Sequence, residues 1–162
     1  MKIFLCDNRL GGLIGFRGDV INHLRKKGHE VTLVAPSAKT DWDKVGNQNM
    51  NDVNIKNVSM HPNSLNPVWD MILFLQYFSL FRKERPDIVI NYTIKPNIYS
   101  SFAASLNNCK IICMVAGLGY MFKGNSILKI FGRWLYKKGL RKAKKVFTLN
   151  QKNHQILIQV KR

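Results

Sequence analysis

The chain has no aspartate or glutamate after Asp87. The first 87 residues carry twelve Lys/Arg against nine acids; residues 88–162 carry fourteen Lys/Arg and no acid. The later loops therefore offer no paired carboxylates for general acid–base work. Cysteine is also scarce. Cys6, Cys109 and Cys113 give an odd count without a C-x-x-C pair, which excludes a disulfide framework and a zinc knuckle and leaves buried free thiols of a reducing compartment. The four histidines show no ligand spacing, so no metal site is expected. Long hydrophobic runs are missing too. The longest, residues 68–81, is interrupted by Asp70, Gln76 and Ser79, and at about 1.5 Å per residue it is too short to cross a bilayer. No charged leader with a cleavable apolar segment opens the chain, so export is not expected.

What is present is the alternation of an α/β protein. Lys2–Cys6, Val31–Ala35, Asp87–Asn91, Lys110–Val115 and Lys145–Leu149 are short apolar runs, as strands buried on both faces require. Ile55–Ser59 offers a further short strand, after a polar loop over 37–54. Between them lie helical stretches: Phe16–Lys27 with Gly28 as its stop, Pro67 to about Arg85, Asn97–Leu106 behind Pro96, and a basic helix from the Ser126 cap to near Lys144. Asn150 starts a terminal helix. The pattern predicts one domain, 1–162: a Rossmann-like parallel sheet with helices on both faces and a site at the carboxyl ends of the strands.

Three loops are candidates for that site. The stretch Asn8–Gly18 is rich in glycine, which lets backbone approach a ligand, and it feeds a helix N-terminus suited to an anion. It is not G-x-G-x-x-G, no acid ends the second strand, and no phosphate-binding G-x-x-x-x-G-K-[ST] occurs, so a nicotinamide cofactor is disfavoured and none is expected. A tight structural turn remains the plain alternative. Arg17, placed in the first helical turn, opposes the macrodipole and hints at an anion nearby. After Asn91, Thr93, Lys95 and Asn97 surround Pro96, either as ligand contacts or as helix caps. After Val115, Gly117, Gly119 and Tyr120 suggest a ligand wall. No residue is assigned a catalytic role.

The basic helix carries Ile127, Ile130, Phe131, Trp134 and Leu135 at 3–4 residue spacing, with Lys129, Arg133, Lys137 and Arg141 around them. One reading makes the apolar stripe face the core; the other sets the helix against anionic lipid. A nucleic-acid partner is left as a lesser alternative, since no helix-turn-helix or ribonucleoprotein motif accompanies the charge.

Several of these segments resemble a known family. Phe16-Arg17-Gly18, Gly28-His29-Glu30-Val31, Ala35-Pro36 and Arg85-Pro86-Asp87-Ile88-Val89 are similar to the amino-terminal domain of bacterial family 4-like glycosyltransferases of the GT-B fold. Tyr92-Thr93-Ile94-Lys95-Pro96-Asn97-Ile98-Tyr99 with Gly117-Leu118-Gly119-Tyr120 looks like the branch acting on polyprenyl-diphosphate-linked intermediates of capsule or O-antigen glycans. The resemblance implies the acceptor half of a retaining, metal-independent hexosyltransferase. Its co-substrate would be a nucleotide sugar and its acceptor a lipid-linked glycan, at the inner face of the plasma membrane. Gly11, Gly12, Gly15 and Arg17 would border the donor diphosphate; Thr93, Lys95, Asn97, Gly117, Gly119 and Tyr120 would line the acceptor side. The family's E-x7-E pair belongs to a second, donor-binding domain that these 162 residues lack. That domain would come from a separate chain, or the frame is truncated. The other reading is a non-catalytic module that binds an anionic partner.

Overall fold

The computed structural model describes residues 1–37, 41, 53–62, 64, 66–117, 127–151 and 155. Their strands are β1 (Lys2–Cys6), β2 (Glu30–Val34), β3 (Asn54–Lys56), β4 (Ile88–Asn91), β5 (Lys110–Val115) and β6 (Lys145–Thr148). They form one sheet in the order β3-β2-β1-β4-β5-β6, and every neighbouring pair is parallel. The Rossmann-like α/β reading is thus observed. β1 lies at the centre, so its two faces are both covered: Phe4 and Cys6 enter one core, Ile3 and Leu5 the other.

Helix α1 (Leu10–Lys26) lines the second core with Leu10, Leu13, Ile14 and Ile21. It starts six residues before the expected Phe16. The predicted glycine-rich turn is its first turns, and Arg17 stands in the third turn rather than the first, too far along the helix to oppose the macrodipole. Each glycine costs a helix interior about 1 kcal/mol. Burying Leu10, Leu13 and Ile14 contributes about 1.5–3 kcal/mol apiece and wins. The helix ends through Gly28 at φ 75°, a conformation open to glycine.

The first core is covered by α2 (Pro67–Glu84), α3 (Ser101–Leu106) and α4 (Ile127–Arg141). Asn66 caps α2 by accepting the Val68 N–H at 2.9 Å, and Pro67 occupies its first position. Arg85, left-handed at φ 50°, closes it ahead of Pro86. Before α3 the chain makes a π-helical turn over Pro96–Ser100, where an ordinary helix was expected from Asn97. Gly139 of α4 lies against that turn so closely that a Cβ would sit 2.5 Å from the Asn97 carbonyl oxygen.

The face on which α4 packs differs from the core-facing expectation. Tyr136, Gly139 and Leu140 are buried, whereas Ile127, Ile130, Phe131 and Trp134 are each more than half exposed. The glycine lets the helix approach the π turn, and this close contact turns the longer apolar stripe outward. β3 runs over Asn54–Lys56 rather than Ile55–Ser59, and α4 stops at Arg141. Most of the 37–54 loop and most of the terminal helix lie outside the described residues.

Candidate functional site

Between β1 and β4 the strand order reverses direction, and their carboxyl ends frame a crevice. The residues there are fixed by backbone bonds: the Asp7 N–H donates to the Val34 carbonyl at 3.1 Å, and the Tyr92 N–H donates to that of Cys6 at 3.0 Å. Asp7, which the sequence reading did not single out, is almost fully buried. Burial raises its carboxyl above the usual range. The Asn8 N–H at 2.6 Å, the nearby Thr93 hydroxyl, and the Arg17 and Arg9 cations pull the other way. Thr93 Oγ1 is enclosed and, though near enough to act on Asp7, completes no hydrogen bond.

Arg17 lies over Tyr92, its guanidinium carbon 4.8 Å from the ring centroid, and its Nε is enclosed without a partner. Burial raises the Tyr92 phenol and Arg17 opposes the shift. Gly12 and Gly15 of α1 look onto open space, as does Gly117 after β5. The structure therefore brings Arg17, Asp7, Tyr92 and Thr93 together beside the start of α1. Gly11, Gly12 and Gly15 stand on that helix.

The other candidates fall in two environments. Lys95 is buried and ion-paired with Asp70 of α2, whose second oxygen accepts from Tyr99 Oη at 2.8 Å. Burial first, and then that carboxylate, push the Tyr99 phenol up. Asn97 is buried too: its Nδ2 donates to the Met114 carbonyl at 3.1 Å and to Tyr136 Oη at 3.3 Å, tying β5 and α4 to the π turn. Lys95 and Asn97 thus shape the wall behind Thr93. Gly119 and Tyr120 lie outside the described residues, as does the Lys129 side chain. Arg133 and Lys137 are half-buried, and Trp134 and Arg141 are exposed.

Elsewhere, all three cysteines are free. Burial pushes the Cys6 and Cys113 thiols up to about 12 and about 11. Among the described residues no three His, Cys, Asp or Glu side chains converge, and no helix is long and apolar enough to cross a membrane. A hollow of about 490 Å³ lies at the opposite, amino edge of the sheet, between Arg82, Asp87 and Lys110. It is remote from the crevice.

A parallel sheet in this order, with its crevice at the β1/β4 junction, is the architecture of one Rossmann-like half of a GT-B protein. The sequence then fixes the family. Residues 18–162 match Glycosyltransferase Family 4, and the chain belongs to it. No curated protein matches the sequence. Solved structures share the fold. A glycosyltransferase from Rickettsia africae is 20% identical with a TM-score of 0.65, covering 98% of this chain and 39% of its own. The lipopolysaccharide outer core galactosyltransferase WaaB is 13% identical at 0.66, covering 100% and 43%. UDP-GlcNAc 2-epimerase from Neisseria meningitidis, solved bound to UDP-GlcNAc, is 13% identical at 0.68, covering 98% and 43%. The chain spans about two fifths of the length of these structures. Because transferases and an epimerase share the fold, it does not by itself select a reaction.

Proposed function

We propose that this domain is the acceptor-binding half of a retaining glycosyltransferase that moves a sugar from a nucleotide sugar to a lipid-linked glycan of the capsule or O-antigen type. The observation that carries the reading is the convergence of Arg17 and Thr93 on the buried Asp7 at the β1/β4 crevice, in a member of Glycosyltransferase Family 4. Arg17 and the start of α1 supply positive potential where a diphosphate would lie. Thr93, its hydroxyl enclosed beside Asp7, backs the acceptor side on a wall braced by Lys95 and Asn97, and Gly117, Gly119 and Tyr120 are assigned to the same side. The carboxylates that hold the donor nucleotide sugar come from a second domain, on the same or another chain. The work is done at the cytoplasmic face of the plasma membrane, to which the basic helix α4 docks through Lys129, Arg133, Trp134, Lys137 and Arg141. No metal or resident cofactor takes part.

The test is sugar transfer from a panel of nucleotide sugars to polyprenyl-diphosphate-linked acceptors, followed by mass spectrometry. The 162 residues alone should bind acceptor and transfer nothing; adding a family 4 donor domain should restore transfer. Robust transfer by the 162 residues alone would overturn the half-enzyme reading, and failure to bind any lipid-linked acceptor would overturn the acceptor assignment. The net charge of +17 favours one other reading, a module that binds an anionic polymer without catalysis. Salt-sensitive binding to single- or double-stranded nucleic acid, with no acceptor binding, would select it.

A further inference from the structure

We infer that the domain meets an anionic bilayer through two helices, α2 as well as α4, whose exposed apolar halves flank the π turn at the carboxyl rim of the sheet. The inference rests on the membrane reading above and adds a surface that reading does not contain. Of fourteen exposed large apolar side chains among the described residues, eight lie on the first halves of these two helices, so the exposure is clustered. On α4 they are Ile127, Ile130, Phe131 and Trp134, the stripe turned outward by the packing of Tyr136 and Gly139. On α2 they are Val68, Trp69, Met71 and Leu75, with exposures between 44% and 63%.

The two stretches share a position in the fold. In a parallel sheet each connecting helix runs back against the strands, so its amino-terminal half lies at the strands' carboxyl rim. Helices α2 and α4 both pack on the π turn and α3, on the same face of the sheet. Their outer sides therefore face away from the sheet together, next to the crevice. Helix α2 is apolar nearly all round, yet only Leu73, Tyr77 and Phe81 of it are fully buried. An exposed helix of that kind needs a second apolar environment. Its one early charge, Asp70, is already held by Lys95 and Tyr99 and offers nothing to repel lipid.

Charge selects the bilayer over a second copy of the chain. Lys137, Lys138 and Arg141 follow the α4 stripe within two turns, and no acid lies beyond Asp87 to balance them. A symmetric dimer through this face would bring like charges together, whereas anionic headgroups complement them. Phe131 stacks on Trp134 at 5.8 Å, and Lys138 Nζ lies 5.6 Å from the indole centroid. This places a cation and an amphipathic ring at one level, as at a headgroup boundary.

The sequence has tryptophan at 42, 69 and 134, which allows a clean test on the full chain. Single-tryptophan variants W42F/W134F and W42F/W69F are mixed with vesicles containing phosphatidylglycerol and bromine-labelled acyl chains. Quenching of both Trp69 and Trp134, absent on phosphatidylcholine alone, is expected. Quenching of Trp134 alone would overturn the two-helix surface while leaving the one-helix membrane reading in place. Quenching of neither would overturn both, as would a concentration-dependent dimer that hides both indoles. As a check that keeps every tryptophan, Met71→Lys and Leu75→Lys change exposed positions and should reduce vesicle co-sedimentation several-fold with the circular dichroism unchanged. Unchanged co-sedimentation would count against α2.

Discussion

The Arg17 guanidinium carbon lies 4.8 Å from the centre of the Tyr92 ring, although 75 residues separate them and the two stand on different elements, α1 and the end of β4. A cation so placed is oriented before any ligand arrives. Such a contact contributes about 0.5–2 kcal/mol, more where water is excluded.

Removing the cation and removing the ring should therefore differ in effect. With inorganic diphosphate as the probe in calorimetry, Arg17→Ala should weaken binding about tenfold or more. Arg17→Lys should recover only part of it, because an ammonium lacks the planar fork. Tyr92→Leu should weaken binding about 2- to 5-fold, the equivalent of losing roughly 0.5–1 kcal/mol of orientation. Affinity unchanged from the parent in all three variants would remove Arg17 from the phosphate side.

Asp7 gives a prediction whose sign depends on pH. Burial raises its carboxyl, so the folded chain keeps that proton to a higher pH than the unfolded chain, whose value is near the ordinary 3.8. The folded state binds the extra proton in that interval, and stability falls as pH rises through it. Asp7→Asn removes the charge that burial disfavours. Urea unfolding should find the variant equal to the parent at pH 3 and progressively more stable than it toward pH 7. A gap that runs the other way would mean that Arg17 and Arg9 outweigh the burial of Asp7.

The Lys95–Asp70 pair should behave as a buried ion pair. Asp70→Ala leaves a buried ammonium without its partner and should cost about 3–5 kcal/mol. Tyr99→Phe removes one hydrogen bond to a carboxylate and should cost about 1.5–3 kcal/mol. Replacing both charges, as Asp70→Asn with Lys95→Met, should recover most of the loss. Denaturant midpoints at pH 7 report all three. A double variant as damaged as Asp70→Ala would mean that the pair is needed for its geometry as well as its charge.

The strands were legible in the sequence because a central parallel strand is apolar on both faces, and runs such as Lys2–Cys6 and Lys110–Val115 have few other uses. The start of α1 was not, because Gly11, Gly12, Gly15 and Gly18 mimic a turn. The 10, 13, 14, 21 spacing of buried residues carries the helix through them. The orientation of α4 was hidden for the opposite reason. Its apolar stripe is the stronger signal, but the close fit of Gly139 to the π turn decides which side is buried. Asp7 could have been noticed as the first residue beyond β1, at the edge where sites form. The role of Lys95 could not have been read locally, since its partner Asp70 lies 25 residues away on another helix.

Two glycines separate packing from ligand access. At Gly139 a methyl group would meet the Asn97 backbone, which cannot retreat without moving the π turn. Gly139→Ala should therefore cost about 1–3 kcal/mol, the range for an overpacked core, despite alanine's better helix propensity. At Gly15 the same methyl meets nothing within 4 Å, and the helical backbone accepts it. Gly15→Ala should raise stability by up to about 1 kcal/mol. If the open side of α1 receives a diphosphate, that variant should also bind diphosphate more weakly, although it is the more stable protein. Thermal melts and calorimetry on the two variants decide the point. A stabilised Gly15→Ala with unchanged affinity would leave the α1 glycines without a part in binding.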